Sequence, residues 1–342
     1  MRDVVFRVDA SQEIGAGHTM RCLTLADALA DAGWKCSFAV GPQTLAIVAN
    51  LKEAPHEVIE LSGDRIQPMQ ERWPDGVDLL VIDHHDLGAA YEVACRPWAR
   101  RIFVIDDLAQ RIHDCDLLLD QNLGRDESSY AGLVSPDCPV LIGPAYSLLR
   151  PQFPETRETA IERRETLSQT RRVMISLGAT DPHQMTIPIV ERVALNAPEV
   201  EMDIVIASAA SHIDKVQALA KRLDENVRIH TDVQDIARLM HNVDLSIGSP
   251  GTTSWERCCL GLPTLLLVTA DNQRSNVPPL EAAGAAIVVG DWLQPDWDRF
   301  DDALAVLSAD TERLRAMARK SFGVCDGAGT ERVITAIDGI VP

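Results

Sequence analysis

One histidine in this chain stands where a proton-transfer group would be useful, at the end of a glycine-bearing loop. The segment Asp9-Ala-Ser-Gln-Glu-Ile-Gly-Ala-Gly-His18 joins a short apolar run to a helical stretch. Gly15 and Gly17 let its backbone turn tightly and approach a ligand. A neutral imidazole at a helix start accepts a proton, and the positive helix end resists its protonation, so His18 is expected as a general base. Arg21, one turn on, is expected either to pair with a carboxylate such as Asp9 or to touch the ligand. A capping histidine beside a structural turn is the plainer alternative. The spacing is not a dinucleotide fingerprint, because Met20 stands where the third glycine would be.

Three further segments carry chemistry-bearing residues. Asp83-His84-His85-Asp86 stands at the end of the run LLVID, and its residue types suit either a metal or the metal-free lining of a ligand cleft. Ser176-Leu-Gly-Ala-Thr-Asp-Pro-His183 repeats the pattern of strand, small-residue loop and helix, with Gly178 placed to bring backbone amides to a diphosphate. The turn Gly248-Ser-Pro-Gly-Thr-Thr-Ser-Trp-Glu256 is the richest. Ser249, Gly251, Thr252 and Thr253 offer hydroxyls and amides for phosphate oxygens, and Glu256 offers two acceptor oxygens for the hydroxyls of a ribose. Asn272 and Gln273, beyond the run LLLV, are expected to reach a sugar.

Elements that position these loops follow from the alternation of β-rich runs with Ala/Leu-rich stretches, the pattern of parallel sheets covered by helices. Strands are expected over 4–8, 36–40, 58–61, 79–83, 102–106 and 117–120, and again over 172–177, 202–207, 227–230, 245–247, 265–268 and 286–289. Between them, 148–172 is charged and contains Pro151 and Pro154. The expected division is a first Rossmann-like domain over 1–150, a charged connector and hinge over 151–171, and a second domain over 172–342. Ligands bind outside the carboxyl ends of such strands, so two domains facing each other would enclose a cleft.

Composition narrows the partners. With 32 basic and 51 acidic side chains the formal charge is −19, which argues against nucleic acid and anionic membranes. No run approaches the roughly 20 apolar residues of a membrane helix, and charges at Arg2, Asp3, Arg7 and Asp9 make the N-terminus a first strand rather than a secretory signal. The eight cysteines show no zinc or dithiol spacing and are expected as reduced packing residues. A cytoplasmic monomer follows as the expectation, because a cleft made within one chain requires no partner.

Taken in order, FRVDASQEIGAGHTMRCLTLADAL, VIDHHDL, ISLGATDPH, GSPGTTSWERCCLGLP, DNQRSN and DGAGTERV resemble the UDP-2,4-diacetamido-2,4,6-trideoxy-β-L-altropyranose hydrolases of pseudaminic acid biosynthesis, a pathway of flagellin glycosylation. The second half is more remotely similar to the nucleotide-sugar domain of GT-B glycosyltransferases such as MurG. The resemblance implies a GT-B fold, two Rossmann-like domains across a cleft, and hydrolysis without metal or cofactor that releases UDP and free sugar. It makes His18 the base, Gly178 and the Ser249–Glu256 turn the UDP loops, and Asn272 and Gln273 sugar contacts. In one place the chain departs from the family, whose strand-end motif is Asp-His-Tyr where His85 stands here. Rival expectations are a GT-B glycosyltransferase, a Mn-dependent phosphoesterase built on Asp83, His84 and His85, and a non-catalytic nucleotide-sugar sensor.

Overall fold

In the computed structural model, which describes residues 2–223 and 226–341, the chain divides into two compact units, residues 1–149 with 328–342 and residues 150–327. Short β-branched and aliphatic runs, apolar on both alternating faces, form strands buried on both sides, and helices supply the covering layers.

Seven strands build the first unit: β1 (Asp3–Val8), β2 (Lys35–Val40), β3 (Glu57–Glu60), β4 (Val77–Asp83), β5 (Ala99–Ile105), β6 (Leu117–Asp120) and β7 (Val140–Ile142). Their order is β3-β2-β1-β4-β5-β6-β7, and every neighbouring pair is parallel. Along β1 the side chains alternate: Val4, Phe6 and Val8 enter one core cluster while Val5 enters the other, on the opposite face. The sequence reading missed β7, a three-residue strand too short to show a period.

Six strands build the second unit: β8 (Arg172–Ser176), β9 (Glu201–Val205), β10 (Val227–His230), β11 (Leu245–Gly248), β12 (Thr264–Val268) and β13 (Ala286–Asp291). Their order is β10-β9-β8-β11-β12-β13, again parallel throughout. Both sheets reverse their winding once, between β1 and β4 and between β8 and β11. The loops leaving those strands therefore flank a topological switch point, where such sheets bind ligands.

Two expected boundaries differ. The stretch expected as connector and hinge forms the helix Gln152–Glu165 and belongs to the second unit. Its arginines hold it there. Arg157 donates to the carbonyls of Cys259, Phe322 and Cys325, and Arg164 to those of Met240 and Val243, where a helix ends with unpaired acceptors. The other difference is at the C-terminus: the helix Gly329–Ile340 does not stay with the second unit. Its Val333 and Ile337 join the core cluster of the first sheet, and Thr330 bonds to the backbone of Leu149. All eight cysteines are free and buried, in keeping with a packing role. Among the described residues no helix is long and apolar enough to cross a membrane.

Candidate active site

The loops after β1, β4 and β5 lie side by side because those strands are neighbours, with Val8 opposite Asp83 and Asp83 opposite Ile105 in register. The loop after β1 closes on itself through the Gly15 amide, which donates to Ser11 O at 2.8 Å, and the helix Gly17–Asp31 follows at once. His18 is the second residue of that helix, and its side chain is buried. Its Nδ1 lies 3.4 Å from Asp83 Oδ1 and its Nε2 3.5 Å from Asp107 Oδ2. His85 meets it edge to face, with ring centroids 4.5 Å apart.

Arg21 is the hub of this cluster. Its Nε and Nη2 donate to both oxygens of Asp83 at 2.7 Å, and its Nη1 and Nη2 to both oxygens of Asp107 at 2.9 Å. Such bidentate forks fix geometry as well as charge. The expected pairing with Asp9 is therefore replaced. Asp9 instead accepts from Arg7, from the Gly41 amide and from His84 Nε2 at 3.1 Å. Because His84 Nδ1 accepts the Asp86 amide at 3.0 Å, its hydrogen sits on Nε2, and the ring is fully used in tying the end of β4 to the end of β1. Asp83 and His84, expected to line the ligand site, thus act as buried supports.

Asp83, His84 and His85 do not converge on one point, which removes the ligand set expected for a phosphoesterase. His84 turns to Asp9, His85 to Asp107, and Asp83 is gripped by Arg21. Two other groups of three bring their ligand atoms within 4.8 Å of one another: His18, His85 and Asp107, and Asp9, Asp64 and His84. Either could hold a cation, but in both an arginine already donates to the two oxygens of the central carboxylate.

Electrostatics follow from burial and pairing. Burial, outweighing the two nearby carboxylates, pushes the His18 imidazole down to about 4. Burial thus does most of what the helix end was expected to do. Burial pushes Asp83 and Asp107 up, but Arg21 prevails and holds both below the ordinary carboxylate range. At neutral pH His18 is therefore a neutral acceptor between two anions. With His18 as the base, which works only in its neutral form, the acid limb of kcat/KM is expected near pH 4. A limb near 6.5, the ordinary histidine value, would show that the group controlling the rate is not this buried ring. The same depression has a stability sign: below pH 6.5 the unfolded chain takes up the proton first, so stability falls as pH drops from 6.5 towards 4.

Asp107 and Arg111 escaped the sequence reading. Asp107 stands in Asp106-Asp107, two residues beyond the Ile105 that pairs with Asp83, and this pair of acids after a strand was the available signal. Asn122 and Arg125 hold its carbonyl. Arg111 donates to the carbonyls of His84, His85 and Leu87 and to Asp106, which fixes the loop that presents His85.

In the second unit the loops after β8 and β11 are neighbours across the switch point. Gly178 has φ +95°, a conformation that L side chains rarely adopt, and the space a Cβ would enter is open for 4 Å. Asp181 caps the following helix Thr186–Asn196, accepting from the amides of Met185 and Thr186, and also meets His212 Nε2 at 3.2 Å. After β11 the amides of Ser254 and Trp255 close the turn on Gly251 O and Thr252 O, and those of Gly251, Thr252 and Thr253 have no partner among the described residues. Glu256 is half-buried, 3.4 Å from Arg150 Nη2; burial raises its pKa, with Arg150 opposing. Asn272 is exposed in the 3-10 helix Asp271–Asn276. Gln273 is partly committed: its Oε1 accepts from the amide and hydroxyl of Thr269, and its Nε2 faces Gly251. Asn276 donates to Pro250 O at 3.1 Å, joining this segment to the turn.

No protein-family model matches the chain. Over 99% of its length it superposes on MurG of Acinetobacter baumannii, covering 100% of that chain, with a TM-score of 0.67 and 16% identity. The chain has the GT-B fold. In sequence this GT-B chain is 29% identical over 288 residues to the UDP-2,4-diacetamido-2,4,6-trideoxy-beta-L-altropyranose hydrolase of Campylobacter jejuni, a match covering 82% of this chain and 97% of the hydrolase. It is 28% identical over 199 residues to the spore coat polysaccharide biosynthesis protein SpsG of Bacillus subtilis, covering 57% of this chain and 56% of that one. The resemblance read from the motifs is thus found as similarity along most of the chain.

Proposed function

We propose that this protein hydrolyses a UDP-activated diacetamido-trideoxyhexose to UDP and the free sugar. The carrying observation is the buried His18 imidazole, flanked by two carboxylates that Arg21 locks in place. The similarity to the Campylobacter jejuni hydrolase, which spans nearly all of that protein, supports the substrate class.

In this reading His18 takes a proton from water as the water oxygen attacks the anomeric carbon. The bond from that carbon to the UDP oxygen breaks, and its electron pair leaves with UDP. The carboxylates of Asp83 and Asp107 stabilise the imidazolium that forms, as a buried cation requires. Glu256 accepts from the ribose hydroxyls, the Ser249–Thr253 turn and the Gly178 loop hold the diphosphate, and Asn272 and the Gln273 amide meet the sugar. Gly15, Gly17 and His85 shape the sugar side. Arg21 acts through its carboxylates rather than on the ligand.

Direct displacement fixes which bond breaks and the configuration that results. In water enriched with oxygen-18 the label is expected on the sugar C1 hydroxyl, with none in UDP, and the sugar is expected to appear first with inverted anomeric configuration. Phosphorus NMR and prompt proton NMR read both. Label in the terminal phosphate of UDP would mean attack at phosphorus and would end this reading. The fold likeness to MurG favours a second reading, a glycosyltransferase, since one fold hosts several reactions. UDP release without any added acceptor separates the two.

A further inference from the structure

Arg257 is a buried cation without a carboxylate. It is 2% exposed, and its Nη2 donates to Ser249 O at 2.6 Å and to Ser254 Oγ at 3.0 Å. Its Nη1 has no hydrogen-bond partner, and among the described residues it forms no ion pair. The guanidinium lies across Gly248, where a Cβ would overlap Nη1, and that same point is 3.1 Å from Ser176 O. It therefore sits between the ends of β8 and β11, against the Ser249–Thr253 turn.

The comparison with other buried arginines sharpens this. Arg21 has two carboxylates, Arg7 has Asp9 and Asp64, and Arg164, also without a carboxylate, faces the carbonyl end of the helix Ile236–Asn242. Arg257 has one carbonyl, one hydroxyl and an idle nitrogen. Removing a cation from water without a counter-charge is costly, and the molecule shows the strain: burial pulls the Arg257 guanidinium down to about 10. An anion arriving in the turn would supply what the protein lacks.

We infer that Arg257 is the built-in counter-charge for a diphosphate held by the turn after β11, acting from beneath it, so that the site selects nucleoside diphosphates over uncharged nucleosides. The inference rests on the proposed UDP chemistry and adds a residue to it. Gly248 belongs to the same device, because only a residue without a side chain leaves room for the guanidinium.

Calorimetry with UDP and with uridine tests it, on the wild-type chain, Arg257→Gln and Arg257→Lys. For Arg257→Gln the UDP affinity is expected to fall about ten- to hundredfold while uridine affinity holds, the range for losing a charged partner. Arg257→Lys, which keeps the charge without the fork, is expected to hold UDP affinity within about threefold of wild type. A role limited to pinning the turn predicts otherwise: UDP and uridine would weaken together in Arg257→Gln, and lysine, which cannot make the same fork, would lose UDP and uridine affinity alike. Either result overturns the inference, and the lysine variant decides it should Arg257→Gln fail to fold. A wild-type chain that binds neither ligand would defeat the UDP-sugar reading itself, and this inference with it. Wild-type UDP binding that Arg257→Gln leaves unchanged would defeat only the role of Arg257.

Discussion

Replacing His18 with asparagine is expected to lower turnover by roughly a hundred- to ten-thousand-fold while leaving UDP affinity close to wild type, the range for losing a positioned general base. Asparagine keeps a polar side chain between Asp83 and Asp107 but cannot accept a proton at neutral pH. The loops proposed to hold UDP belong to the other unit, residues 150–327, so substrate capture should survive. Steady-state kinetics with a UDP-diacetamido-trideoxyhexose, together with calorimetry of UDP, separates the two effects. Near-normal turnover in the variant would remove His18 from the mechanism. Parallel loss of UDP affinity would instead make His18 a binding residue.

Arg21→Met is expected to destabilise the protein by about 3–5 kcal/mol, the usual consequence of deleting one partner of a buried ion pair. Two carboxylates, the buried Asp83 and the half-buried Asp107, would lose the four hydrogen bonds that Arg21 gives them. The pH dependence has a definite sign. In the wild type both carboxylates titrate below their ordinary value, so the stability Arg21 provides is present above about pH 4 and is lost as pH falls through their folded values. In Arg21→Met each carboxylate is pushed up instead, so the gap between wild type and variant is expected to narrow on acidification. Urea denaturation at pH 7 and pH 5 measures both. A loss under about 1 kcal/mol at pH 7 would mean that water already satisfies these carboxylates.

The strand-end loops were legible in the sequence because each strand announces itself locally. The run DVVFRV is apolar and β-branched, ends in polar residues, and leads into glycine and an alanine-rich helix. Local pattern also placed His18 within the first turn of its helix and set Gly178 and Ser249 after strands, since these depend only on neighbours along the chain. Partner choice did not follow from pattern. Asp9 is closer than Asp83 to Arg21 in sequence, yet Asp83 and Asp107 take the guanidinium, because β4 lies beside β1 and β5 beside β4, which brings residues 62 and 86 positions away into contact. Strand order is a property of the whole sheet, and no window of the sequence contains it.

The same reason explains the displaced boundaries. Charge density between residues 151 and 171 reads as solvated linker, but arginine side chains facing the carbonyl ends of helices are a docking device, and those helices lie some 80 to 170 positions further along the chain. Val333 and Ile337 read as any amphipathic helix face; which sheet buries them is decided by three-dimensional packing alone. Sequence by itself determined the element types, the strand-end loops and the residue types that could serve a nucleotide sugar. Tertiary structure decided which charges meet and which are buried without a counter-charge, and hence that burial lowers the His18 pKa and that Arg257 lacks a carboxylate, because burial and long-range pairing exist only once the sheets have closed.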